Sequence, residues 1–149
     1  MFSFFKFIAS GSALGAPSSW QDYSSGFAMG GYDPVAYFTQ HRATPGEEGI
    51  EHYWGGTNWL FVNTGNRDAF AKHPEVYAPQ FAGYDALAVS KGLGVQGSPA
   101  IWAVYNNRVY LFADMANMQT WRRNPYKIIQ AAHARWAELG KELPGTSEN

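Results

Sequence analysis

Laid against itself so that Phe61 falls on Phe112, the chain repeats a pattern without a gap. Trp59-Leu60-Phe61 meets Tyr110-Leu111-Phe112, Gly55-Gly56 meets Asn106-Asn107, Asn63 meets Asp114, Asn66 meets Asn117, Phe70 meets Trp121 and Pro74 meets Pro125. The first copy spans Tyr53 to Tyr77 and the second begins at Val104. In both, a short aromatic-rich strand reaches a two-residue turn of the kind that tolerates positive φ, and a second strand of alternating apolar residues returns, which reads as a β-hairpin. Asn63 and Asp114 then stand where a side-chain oxygen can accept from the first free N–H groups of a helix, and Pro74 and Pro125 cannot continue a helix that they follow. Each unit is a hairpin, a capped helix and a proline stop. Two copies are too few for a solenoid, so the sequence predicts one α+β domain of two hairpin-plus-helix units with a pseudo-twofold repeat.

With 149 residues, the chain can bury roughly two thirds of its unfolded surface as one domain and is too short for two ordinary ones. Aromatic residues make up 17% of it, which suits a small domain because each ring buries a large area at little rotamer cost. Its 11 basic and 12 acidic residues nearly cancel, and no basic cluster exceeds Arg122-Arg123, so no footprint for nucleic acid is present. The absence of cysteine excludes disulfides, thiolate metal sites, iron–sulfur clusters and cysteine nucleophiles.

Residues 1–31 read as an N-terminal arm and linker, residues 32–140 as the domain and residues 141–149 as a tail. Phe2, Phe4, Phe5, Phe7 and Ile8, followed by small residues from Ala13 to Ala16, imitate a signal peptide, but Lys6, the only basic residue there, lies inside the apolar run. The run is also too short to span a bilayer, which needs about 20 residues. The expectation is a retained arm, extended from the domain, in which these side chains and Trp20 contact a protein partner or a membrane surface. Further along, Val35 to Phe38 is a short apolar element and His41 to Gly49 an exposed loop. Residues 78–100, punctuated by glycine and proline, form a connection in which Tyr84 to Lys91 is the stretch expected to coil. Ile129, Ala132, His133 and Trp136 mark one face of a final amphipathic helix closed by Gly140.

The segments GYDPVAYF, WLFVNTGNRDAFAKHPEVYAPQFAGYDALAVS and RVYLFADMANMQTWRRNPYKII together resemble the YHS-domain family in its longer form, typically exported by bacteria. The resemblance covers roughly Gly31 to Trp136. It implies a treble-clef-like α+β domain, a periplasmic or exported location with membrane association, and in many members a bound transition metal; a cytoplasmic protein with a retained N terminus is the alternative. Short members of the family carry cysteine where this chain has Val62 and Asn66, and longer members usually carry one where it has Asp85. By this resemblance the fold is inherited and the thiolate chemistry is not.

Asp85 puts an oxygen where the family has sulfur, and can either hold a harder ion or cap the short helix after Tyr84. The four histidines, His41, His52, His73 and His133, show no pair at ligand spacing. His52 is expected to open a strand, His73 to end a helix where an imidazole meets terminal carbonyls, and His133 to sit half-buried on the apolar helix face. Asp33-Pro34 reads as turn chemistry. Ser90 lacks a nucleophile elbow, and Gly92 to Gly97 spells G-x-G-x-x-G without a surrounding βαβ unit. The sequence therefore predicts a non-catalytic accessory or interaction subunit. The competing expectation is a copper, zinc or iron protein that uses Asp85 with His52 or His73 in place of the missing cysteines.

Overall fold

A computed structural model describes residues 26–143. The arm residues Phe2, Phe4, Phe5, Phe7, Ile8 and Trp20 lie outside the described residues. Among those described, the architecture is α+β, with two separate two-stranded antiparallel sheets and six α-helices. A 3-10 turn (Met29–Gly31) leads to α1 (Ala36–Thr39), hairpin β1 (Glu47–Trp54) and β2 (Thr57–Phe61), then α2 (Thr64–Lys72) and α3 (Pro74–Tyr77). A second 3-10 turn (Gln80–Gly83) leads to α4 (Ala86–Ser90), hairpin β3 (Ser98–Tyr105) and β4 (Arg108–Phe112), then α5 (Met115–Arg123) and α6 (Pro125–Leu139). No described helix is long and apolar enough to cross a membrane.

The two hairpins have the same strand lengths and the same register. His52 pairs with Trp59 and Ala103 with Tyr110, each pair two steps from its turn. Both turns run through the left-handed region, at Gly55-Gly56 and Asn106-Asn107, which is the geometry that lets a two-residue loop follow the right-handed twist of its strands. Both hairpins also shift register at their open ends, between Glu47 and Glu51 and between Ser98 and Trp102. β1 thus begins inside the stretch expected to be loop up to Gly49, and His52 lies within the strand instead of opening it.

The helix caps fall where the sequence puts them. Asn63 Oδ1 accepts from the Asn66 N–H at 2.7 Å and Asp114 Oδ1 from the Asn117 N–H at 2.8 Å. The prolines do more than stop a helix. Pro74 and Pro125 each occupy the first turn of the next helix, where the missing N–H would have had no partner anyway. Gly140 ends α6 as expected.

Two apolar clusters form the core. One gathers Trp59, Phe61 and Phe70 with Val35, Tyr37 and Met29; the other gathers Tyr110, Phe112 and Trp121 with Phe81, Tyr84 and Ala132. Phe70 meets Trp59 and Phe61 at ring-centroid distances of 4.9 and 5.2 Å, and Trp121 meets Tyr110 and Phe112 at 5.5 and 5.2 Å. Strand β4 serves both clusters. Its Val109 and Leu111 belong to the first, while Tyr110 and Phe112 belong to the second, because successive side chains leave a strand on opposite faces. Packing begins before Tyr32, since Ala28 and Met29 are fully buried.

Candidate functional site

The most concentrated chemistry lies around two buried carboxylates. Asp33 and Asp85 are both fully buried. Asp33 Oδ1 accepts from the Val35 and Ala36 N–H groups at 2.8 and 3.2 Å, and Oδ2 from the Val62 N–H at 2.9 Å and the Asn66 side-chain amide at 2.8 Å. A carboxylate has about four acceptor sites, and all four of these are taken. Asp85 repeats the arrangement. Its Oδ1 accepts from the Ala88 N–H at 2.9 Å, and its Oδ2 from the Ala113 N–H at 2.7 Å and the Asn117 amide at 2.9 Å. Each aspartate thereby ties three segments: the start of a short helix, the exit of the returning strand and the first turn of the helix behind it.

The approach to each carboxylate is built alike. Met29, Gly30 and Gly31 on one side, and Phe81, Ala82 and Gly83 on the other, all have positive φ. The Gly46 N–H then donates to the Gly31 carbonyl and the Gly97 N–H to the Gly83 carbonyl. Residues 78–100, read as a plain connection between the hairpins, thus contain a second Gly-Tyr-Asp turn. The signal lies in the sequence as Gly31-Tyr32-Asp33 and Gly83-Tyr84-Asp85. It escapes an ungapped comparison because the shift that aligns the hairpins sets Asp33 against Tyr84.

Comparison with family models, with curated proteins and with solved structures finds no significant match. Geometry alone therefore bears on the candidate residues. Asp85 caps α4, and its side chain is engaged within the fold. His52 lies on β1, edge-on to Phe70 with ring centroids 6.1 Å apart. His73 sits between α2 and α3 with its side chain 67% exposed and Nδ1 4.0 Å from Glu75; its backbone N–H, not its imidazole, caps the carbonyls of Ala69 and Phe70. Asp85, His52 and His73 are not brought together, and among the described residues no three His, Cys, Asp or Glu side chains gather where they could hold a metal. His133 is exposed, not half-buried, although its ring lies 4.9 Å from that of Phe81.

Sequence reasoning gives Asp33 only a turn, Asn117 only a place in the repeat and Tyr37 only a place in a short apolar element, and misses what their side chains hold. The Tyr37 hydroxyl donates to the Pro99 carbonyl at 2.6 Å and its ring meets Trp102, joining α1 to the second hairpin. Burial pushes the Tyr37 phenol well above its usual range, with further increments from Tyr32 and Asp33. Burial also raises Tyr110, against the lowering effect of Arg108.

Proposed function

We propose that this chain is a non-catalytic YHS-like binding domain acting as an accessory or interaction subunit, exported and associated with a membrane through its Phe-rich arm. The observation that carries the reading is the fate of the positions where the resembling family has cysteine. Asp33 accepts from the Val62 backbone and the Asn66 amide, and Asp85 spends its oxygens on Ala88, Ala113 and Asn117. At Asn66 and Asp85 the polar side-chain groups are taken up in hydrogen bonds within the fold, and at Val62 the side chain offers no ligand atom. The chemistry that remains available lies on the surface, in side chains such as Tyr53, Met115 and Tyr126. The matching registers, caps and buried aspartates also support a pseudo-twofold relation between the two hairpin-plus-helix units of a treble-clef-like domain, within the same proposal.

Copper, zinc and iron titration of the full chain, followed by desalting and elemental analysis, tests the reading. Well under one equivalent of each metal is expected. A stoichiometric metal that disappears in Asp85→Asn, with the fold intact by circular dichroism, would overturn it. The arm is tested separately by deleting residues 1–17: association with the membrane fraction should be lost while the domain stays folded, and unchanged association would remove the arm from the proposal.

A further inference from the structure

Between β3 and α5 runs an open groove of about 510 Å³, with Ala103, Met115, Met118, Trp121 and Arg122 among its lining residues. The two hairpins differ at this place. In the first, His52 reaches Phe70. Under the shift that lays Phe61 on Phe112, the residue at that position in the second hairpin is Ala103, which has no ring to set against Trp121, and a groove stands beside it. Its volume falls within the usual span of ligand pockets, about 300 to 1,000 Å³.

Three features of the groove specify what fits it. The first is an open strand edge. Among the described residues β3 pairs only with β4, and Tyr105 and Arg108 flank the two-residue turn. Antiparallel alternation from that hydrogen-bonded pair turns the N–H and C=O groups of Trp102 and Val104 away from β4. Neither residue has a backbone hydrogen bond outside its own hairpin among the described residues. An extended peptide backbone satisfies such a row of groups; an acyl chain does not. The second feature is an apolar wall, where Met115 is 51% exposed and methionine adapts to varied side-chain shapes. The third is charge and polarity. Arg122 is the only charged residue among the described lining residues, and the indole N–H of Trp121, itself 2% exposed, is buried with no acceptor among the described residues.

We infer that this groove takes an extended apolar peptide strand carrying a carboxylate, added to the open edge of β3. Backbone pairing supplies the affinity, as in other strand additions. The apolar lining of the groove takes the side chains of the peptide on that face, and Arg122 favours the acidic group. The inference rests on the interaction reading proposed above and narrows the partner to a class. It involves neither the arm nor a metal, so its test can fail without either of those failing.

The probe is an acetylated peptide, Thr-Val-Thr-Phe-Thr-Val-Glu, with a free C terminus, titrated into the isotope-labelled full chain and followed by amide and indole NMR signals. Shifts are expected at the Trp102 and Val104 amides and at the Trp121 indole. Replacing Glu by Gln with an amidated end, or substituting Arg122→Gln, should weaken binding about fivefold, in keeping with a partly exposed ion pair. A peptide with proline at its central position should not bind, because proline cannot donate to the added ladder. Ala103→His, which restores the residue type of the first hairpin, should abolish the shifts. So should Val104→Pro, which removes an outward N–H while sparing the β3–β4 ladder. No shift at millimolar peptide, or equal binding by the proline peptide, would overturn the inference. Persistence in a folded Ala103→His or Val104→Pro chain would do the same.

Discussion

The Asp33 carboxyl is accommodated in the core because each of its acceptor positions meets a donor. Removing the carboxylate strands the Val62 N–H and the Asn66 amide, and an unsatisfied buried donor costs roughly 1 to 3 kcal/mol. Asp33→Ala should therefore lower the unfolding free energy by about 3 kcal/mol or more, and Asp33→Asn by less, both read from urea denaturation at constant m value. Tyr37 gives a pH prediction. Its phenol is raised in the folded state, so the folded chain keeps its proton where the unfolded chain gives it up. The stability it contributes is complete below the ordinary tyrosine pKa of about 10 and is lost as pH rises beyond it. Tyr37→Phe should flatten the decline of stability between about pH 10 and 11, measured by denaturation at fixed ionic strength. The caps at Asn63, Asp85 and Asp114 are legible in the sequence because capping is local, three residues from oxygen to N–H. The role of Asp33 is not, because Val62 and Asn66 lie in a distant segment and a neighbouring proline offers a sufficient reason for an aspartate there.

Turn chemistry and helix caps write each hairpin-plus-helix unit into contiguous residues, which is why elements are read better than their contacts. What the sequence conceals is close approach. A Cβ added at Gly97 would stand 2.6 Å from both the Gly83 carbonyl oxygen and the Leu111 Cβ, and one at Gly46 would stand 2.6 Å from the Leu60 Cβ. In a list of glycines these two look like ordinary loop punctuation. Neither has the positive φ that marks a glycine needed for its conformation, so the requirement is space, and backbone cannot yield as a flexible side chain would. Gly97→Ala should destabilise by about 1 to 3 kcal/mol, the range for overpacking. Gly92→Ala meets only the Arg135 guanidinium at 3.3 Å and a positive φ, and should cost about 1 kcal/mol. Thermal melts of the two variants side by side check the order. The same logic explains why the groove beside β3 is absent from a sequence reading: a missing side chain at Ala103 has meaning only when His52 is known to occupy the corresponding place.

At the scale of the molecule, the two clusters share a strand. Residues 26–78 expressed alone would lack Val109 and Leu111, which belong to the cluster around Trp59 and Phe70, and should show no cooperative unfolding transition by circular dichroism. The complementary fragment, residues 79–143, would leave those two side chains uncovered on β4 and should aggregate or bind an apolar dye. The sequence predicts one domain from length alone; that it cannot be divided between its hairpins follows from the alternation of β4, whose four apolar residues from Val109 to Phe112 are all buried. A periodicity argument cannot tell which neighbour covers which face. The shared strand also governs how the protein breathes. Where each half has its own sheet and its own cluster, one half can open transiently while the other stays closed, and its amide protons exchange with solvent faster. Here, opening either half uncovers a face of β4 and weakens the other. The slowest-exchanging amides of β2 and β4 should therefore report one common opening event, and hydrogen exchange should find a single rate-limiting unit in a chain that looks, on paper, like two.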